Sequence, residues 1–247
     1  MAKSFSDIRA LLIQARNTPD MEAQEQDCFV ERTRLDPSQL FSLNIAHSDL
    51  TELNLDQYDV VFIGGAGEYS ATGEYPWMSP LLELVQTAYV NKLPTFGSCW
   101  GHQVIARALG GTVIHDPALS EMGCLLVSLT EAGEIDRLFT DFPASFLANM
   151  GHHDRVTELP DGAIQLAVSE TQPNEAFRMQ DAPMYGTQFH SELDAHRERE
   201  RLIRYRPLYK AAMPSEEVYQ NVIASLAETT EVDHLMHDFL LKFVVSE

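Results

Sequence analysis

The stretch that decides the fold is LPTFGSCWGHQVIARALGG, residues 93–111. Its first part, LPTFGS (93–98), reads as a strand. GHQVIARALGG (101–111) reads as a helix closed by a glycine pair. Cys99 stands at the junction, with Gly97 and Gly101 on either side. Two readings compete for the thiol. It is a small buried hydrophobe, as isolated cysteines usually are, or it is a nucleophile on a tight strand-to-helix turn, by the logic of the G-x-S-x-G elbow. A thiol attacks as its thiolate, and a helix N-terminus or a neighbouring imidazole favours that form. The stretch alone does not choose between the two.

Working outward, IRALLIQA (8–15) reads as a first strand. TPDMEAQEQDCFVERTRL (18–35) reads as a helix, with Thr18 as N-cap and Pro19 at its first position. LFSLNIAHSD (40–49) gives a second strand. YDVVFIGGAGEYS (58–70) gives a third, β-branched and aromatic, ending in glycines as a buried parallel strand does. PWMSPLLELVQTAYVNK (76–92) supplies a helix before the strand at 93–98. This βαβ rhythm implies an α/β fold: an open, mostly parallel, flavodoxin-like sheet with helices on both faces. Ligands of such sheets gather beyond the carboxyl ends of the strands, where both GGAG and SCWG fall.

The second half changes character. Residues 123–130, 144–160, 163–171, 175–181 and 183–194 read as successive strands, an antiparallel extension that returns to the main sheet. EIDRLFTDF (134–142) reads as a short helix, and the chain from Ala195 onward as helical. Within it RERERLIRYR (197–206) reads as a solvated helix face, with contact to a partner or an anionic substrate as the alternative. No repeat or linker composition divides the chain. The expected organisation is one domain over 1–194 and a helical extension, 195–247, packed on it.

The balance of 17 Lys+Arg against 37 Asp+Glu, a formal charge of −20, argues against a nucleic-acid binder and against an anionic membrane surface. Three cysteines without framework spacing suit a reducing compartment. The N-terminal apolar core is only ALLI, too short for a signal peptide, and no apolar run approaches a membrane span. A soluble cytoplasmic protein is expected. No metal or cofactor is expected either. His152 and His153 are adjacent on a strand and point to opposite faces, and Asp154 is expected to bond nearby backbone. Cys28 and Cys124 read as structural.

A nucleophilic cysteine needs a base and a group that orients it. YGTQFHSELD offers His190 at the end of an apparent strand, with Glu192 two residues on. Residues i and i+2 of a strand project to one side, so Glu192 can accept from the imidazole and set its tautomer. Taken singly, a strand-end histidine and a loop acid are the blander readings; with the elbow they form a set. Acyl transfer also needs oxyanion donors. The N–H of Trp100, next after the nucleophile, is one, and that of Gly65 in the GGAG turn is the other candidate. GGAGEYSATG lacks the glycine order and the lysine of a nucleotide site.

These residues resemble the class I, triad-type glutamine amidotransferases. The nucleophile motif, G-x-C-x-G-x-Q, is matched by Gly97-Ser98-Cys99-Trp100-Gly101-His102-Gln103. The base motif, G-x-Q-F-H-P-E, is matched by Gly186 to Glu192 with Ser191 in place of proline. Gly64-Gly65-Ala66-Gly67 stands where the family has S-G-G-P, and GHHDRV (151–156) where the GMP synthetase branch has S-H-G-D-x-V, His153 replacing glycine. The resemblance runs from about residue 8 to 194. It implies Cys99 as nucleophile, His190 as proton shuttle, Glu192 as orienter, Gly65 and Trp100 as oxyanion donors, and Gly67 and Gln103 as substrate contacts. It implies hydrolysis of the glutamine side-chain amide through a γ-glutamyl thioester, with ammonia released, a separate synthetase subunit being one destination for it. A stand-alone γ-glutamyl peptide or amide hydrolase is the alternative, and a non-enzymatic binding protein on the same fold the third. The substrate is then glutamine or another γ-glutamyl small molecule; whether a synthetase partner or a homodimer exists is left open.

Overall fold

The computed structural model describes residues 3–50 and 53–245. Eleven strands and seven helices follow one another among them: β1 (Ala10–Gln14), α1 (Pro19–Thr33), β2 (Leu40–Asn44), β3 (Val60–Ile63), α2 (Met78–Val90), β4 (Thr95–Ser98), α3 (Trp100–Ala108), β5 (Thr112–His115), β6 (Glu121–Leu129), α4 (Glu131–Glu134), β7 (Ser145–His152), β8 (Asp154–Glu158), β9 (Ala163–Val168), β10 (Ala176–Met179), β11 (Met184–Thr187), α5 (Ala195–Tyr205), α6 (Glu216–Ser225) and α7 (Leu235–Phe243). Nine strands form one sheet in the order β2-β1-β3-β4-β11-β10-β9-β6-β7. The first five are parallel and the last four run antiparallel. The parallel half is the flavodoxin-like order, and β11 is the returning strand that the sequence implied.

Side-chain alternation builds the layers. On β1, Leu11 and Ile13 face the core shared with α2 and α3, through Leu81, Val85, Val104 and Ile105. Ala10 and Leu12 face the opposite core, filled by Phe29 of α1 and by Leu235, Met236, Phe239 and Leu240 of α7. Each of the larger apolar side chains among these contributes about 1.5–3 kcal/mol by leaving water. The Phe239 ring meets Phe62, Phe96 and Tyr185 across β3, β4 and β11. The last helix therefore lies under the strands that lead to the carboxyl edge. Among the described residues no helix is long and apolar enough to cross a membrane.

Several expected elements differ. Residues 144–160 are two strands, because the chain leaves the main sheet at His153 and β8 pairs with β5 in a separate two-stranded sheet. Residues 134–142 lie mostly in turns. The helix there is a single turn, α4, capped by Thr130, whose Oγ1 accepts from the Gly133 N–H at 3.0 Å. Thr18 does precede α1 but makes no side-chain cap. The C-terminal helical run is broken between α6 and α7.

Candidate active site

β4 and β11 are adjacent and parallel, with Ser98 opposite Thr187. Their carboxyl ends carry the cysteine segment and the histidine segment side by side. The Cys99 N–H donates to the Thr187 carbonyl at 2.8 Å. Cys99 itself has φ 50° and ψ −100°, a left-handed conformation that L residues seldom adopt, immediately before α3 begins at Trp100. Gly97 and Gly101 make the turn possible by close approach: a Cβ on Gly97 would stand 2.5 Å from the Gly101 carbonyl carbon. Trp100 is at the first position of α3, so its N–H has no carbonyl of its own helix to meet.

The base segment is tied down equally well. The His190 N–H donates to the Asn149 carbonyl at 3.0 Å, binding the segment to β7. His190 Nδ1 donates to Glu192 Oε1 at 2.8 Å. Glu192 is fully buried and accepts further bonds from Ser98 Oγ at 2.5 Å and from Arg201 Nη1 at 3.3 Å. Burial works to lower the His190 pKa, but the negative charges of Glu192 and Glu198 help to outweigh it, and the imidazolium is held well above its ordinary range. Burial would raise Glu192. The charge and hydrogen bond of His190, with Arg201 and Ser98, hold it well below the usual carboxylate range instead. Gln188 Nε2 approaches Cys99 Sγ at 3.7 Å, and Gln103 Nε2 donates to Gln188 Oε1 at 3.0 Å and to the Asp154 carbonyl at 2.6 Å.

Cys99, Trp100, Gln103, His190, Gly65 and Gly67 all line one cavity of about 260 Å³. Glu192 lies behind it. The Gly65 N–H is not turned into this cavity. It donates to the buried Glu25 carboxylate at 2.8 Å. Glu25 Oε2 in turn accepts from Arg201 Nη2 at 2.6 Å and pairs with Arg16. Sequence reasoning missed this Arg16–Glu25–Arg201 group. A signal was present: Glu25, Cys28 and Phe29 fall on one buried stripe of α1. Likewise Glu198, Arg201, Leu202 and Tyr205 recur at helical spacing and are the inward face of α5. The basic run is thus only partly a solvated face.

Asp154 does not bond backbone near it in the chain; it accepts from the Ala71 N–H, 83 residues away, at 2.8 Å, and also from Ser70 Oγ and His115. His152 and His153 diverge. His152 meets Glu121 at 3.1 Å, and His153 packs on Tyr209. Among the described residues, Glu121, His152 and Glu175 alone bring ligand-type atoms together, within 4.8 Å of one another. Two carboxylates and an imidazole suit a divalent cation. Burial and the adjacent Glu121 also push Glu175 well above the usual carboxylate range, and a proton retained there lets two acids lie together. Burial pushes the Cys28 thiol up to about 12, in keeping with a structural role.

The fold and this edge define a doubly wound α/β protein with a thiol on a strained strand-to-helix turn, set beside a buried histidine–carboxylate pair. The sequence model for glutamine amidotransferase class-I matches residues 32–206, and the chain belongs to that family. A GMP synthase [glutamine-hydrolyzing] from Aliivibrio fischeri is 33% identical over 155 residues, which are 63% of this chain and 28% of that protein. Gamma-glutamyl peptidase 3 of Arabidopsis thaliana is 33% identical over 133 residues, 53% of each chain. The chain thus spans about a quarter to a half of these relatives. Among solved structures, a glutamine amido transferase from Methylobacillus flagellatus superposes with a TM-score of 0.75 at 21% identity, covering 97% of this chain and 96% of its own. A glutamine amidotransferase from Thermotoga maritima gives 0.74 at 22%, covering 97% and 99%. At such identities the likeness is one of fold.

Proposed function

We propose that this protein hydrolyses the γ-amide of glutamine or of another γ-glutamyl compound through a thioester on Cys99. The observation that carries the reading is the His190–Glu192 bond of 2.8 Å beside a cysteine held in a left-handed turn, both His190 and Cys99 lining one cavity. His190 takes the proton of the Cys99 thiol, Cys99 Sγ forms a bond to the amide carbon, and the carbonyl π electrons move onto oxygen. The Trp100 N–H receives that oxyanion. The Gly65 N–H joins it only once its bond to Glu25 is released, so this donor is conditional. As the tetrahedral adduct collapses, the C–N bond breaks, His190 gives its proton to the leaving nitrogen, and ammonia or an amine departs. His190 then takes a proton from water, which attacks the thioester carbon, and the γ-carboxylate leaves as the thiol is restored. Glu192 fixes the histidine tautomer and stabilises the imidazolium. Gly67 and Gln103 contact the substrate side, Gln103 through its oxygen, since its nitrogen is engaged.

The relatives divide on the leaving group, the GMP synthase being named for glutamine hydrolysis and the peptidase for γ-glutamyl peptides. A cavity near the lower end of small-molecule sites suits glutamine, the free ammonia passing to a separate synthetase chain or to solution. The likeness to a gamma-glutamyl peptidase, 33% identical over 53% of each chain, supports hydrolysis of a γ-glutamyl peptide or amide as the second reading. In either case we take the helices after residue 194 as an extension of the same domain, because α7 completes its core. The test is release of ammonia or amine by purified protein from glutamine and from several γ-glutamyl peptides, with Cys99→Ala alongside. Turnover by the wild type and none by the variant is expected. A variant near wild-type activity would overturn the nucleophile assignment.

A further inference from the structure

Two residues that line the cavity each carry a buried polar atom without a partner, and the two atoms are of opposite kind. Glu198, on α5, is 1% exposed, and its Oε2 accepts no hydrogen bond. Arg16, just after β1, is equally buried, and its Nε–H finds no acceptor. Both residues line the cavity that holds Cys99. A buried carboxylate without a donor is costly, and structures rarely tolerate one unless something else supplies the donor.

The neighbours do not resolve either atom. Arg201, one turn along α5, commits its three nitrogens to Gln24, Glu25 and Glu192, at 2.6–3.3 Å, and gives none to Glu198. His190 Nε2 stands 3.9 Å from Glu198 Oε2. That is beyond the reach of a charge-assisted hydrogen bond, about 2.7–2.9 Å. Gly151 leaves the room Glu198 needs, since a Cβ there would stand 2.9 Å from its Oε1. On the other side, Gly67 leaves room beside the Arg16 guanidinium, since a Cβ there would stand 2.9 Å from Nη1, whose bond to the Tyr205 hydroxyl is long, at 3.4 Å.

A γ-glutamyl group carries the complement of these two atoms. Its α-ammonium brings donors and its α-carboxylate brings acceptors. Four bonds separate the ammonium nitrogen from the reacting carbon, a reach of at most about 5 Å at roughly 1.5 Å per bond. A head group tethered to Cys99 Sγ therefore remains within the same small cavity. We propose that Glu198 receives the α-ammonium and Arg16 the α-carboxylate of the γ-glutamyl substrate, so that this wall selects free α-amino acids over their neutral or blocked analogues. The assignment rests on the γ-glutamyl reading above and names its recognition residues. The competing role for Glu198 is a counter-charge to the His190 imidazolium, which would act on every substrate alike.

The experiment compares glutamine with 4-carbamoylbutanoate, which has the same amide and carboxylate but no α-amino group. It has two arms: turnover by wild type and Glu198→Gln, and calorimetric binding to Cys99→Ala with and without Glu198→Gln. For glutamine, Glu198→Gln should weaken both kcat/KM and binding by about 10- to 100-fold, the range of a lost hydrogen bond to a charged group. The kinetic loss should fall mainly on KM. For 4-carbamoylbutanoate both readouts should change less than about 3-fold, on the same argument. Glu198→Asp should recover part of the loss for glutamine alone. An equal loss on both compounds, in kcat, would overturn the proposal in favour of the counter-charge role, and no loss on either would overturn it outright. Absence of turnover with discrimination intact in the binding arm would sink the hydrolytic reading and leave the subsite standing.

Discussion

Cys99 offers a stability measurement in which the ordinary order of two residues should reverse. Its backbone, at φ 50° and ψ −100°, lies where a side chain is strained, and such a residue costs of order 1–3 kcal/mol. Cys99→Ala removes the thiol and keeps the strain. Cys99→Gly removes both, at an entropic cost of about 0.5–1 kcal/mol relative to alanine. The difference favours glycine by about 1 kcal/mol, taking mid-range values. For a chain of 247 residues that corresponds to roughly 2–4 °C in Tm. Comparing the two variants with each other, rather than with the wild type, cancels the lost thiol contacts and leaves the backbone term. Both should be inactive. Thermal scans and urea titrations of the purified pair supply the measurement. If the alanine variant is the more stable by the usual 0.5–1 kcal/mol, the turn is not strained and the argument for a pre-formed elbow fails.

Gly97→Ala would place a methyl carbon 2.5 Å from the Gly101 backbone and must push β4 and α3 apart. A misplacement approaching 1 Å at the reacting atoms is expected to lower kcat/KM about 100-fold, measured on the same substrate as the wild type. Glu192→Gln should lower kcat by a smaller factor than His190→Asn, since the fold partly holds the ring, and it should also reshape the pH profile. His190 has a raised pKa, so the imidazolium persists until pH climbs through that raised value; without the Glu192 charge the alkaline limb of kcat/KM should move to lower pH. A profile that stays in place would separate Glu192 from the histidine. Phe239→Ala empties a site packed on Phe62, Phe96 and Tyr185 and should destabilise the protein by about 3–5 kcal/mol, read as a fall in urea midpoint.

The inner part of the parallel half was legible because β1 and β3 are fully buried, largely apolar runs and β3 and β4 lead into glycine turns, whereas β2 at the edge is only half-buried. Val60–Ile63 is the plainest case, four consecutive buried apolar residues. β5 was missed because Thr112–His115 is short and half-exposed, so neither burial nor alternation marks it. The turn at His153 was hidden for a related reason: strands on both sides of it read as one run, and only pairing assigns them to different sheets. Leu138 and Phe139 are buried as a helical spacing would suggest, yet Asp136 holds the segment in turns by accepting from the Leu138 N–H. Within the candidate site, Cys99, His190 and Glu192 were legible because the motif is local. Arg16, Glu25 and Arg201 were not, since their pairing depends on a strand end and two helices separated by up to 185 residues in the chain (from residue 16 to 201). The Gly65 N–H shows the limit of reasoning from a motif alone, because the competing acceptor, Glu25, comes from a helix 40 residues earlier.

The adjacency of β4 and β11 has a further consequence. The thiol segment and the imidazole segment leave neighbouring strands in register, so their separation is inherited from the spacing of the sheet itself. The cavity wall also includes α5 and the loops after β1 and β3, none of which sets that spacing. The two parts still meet at one point. Arg201 of α5 donates to Glu192 at 3.3 Å, so a change in α5 that removes Arg201 reaches the imidazole through its carboxylate, while the sheet keeps the two segments at the same separation.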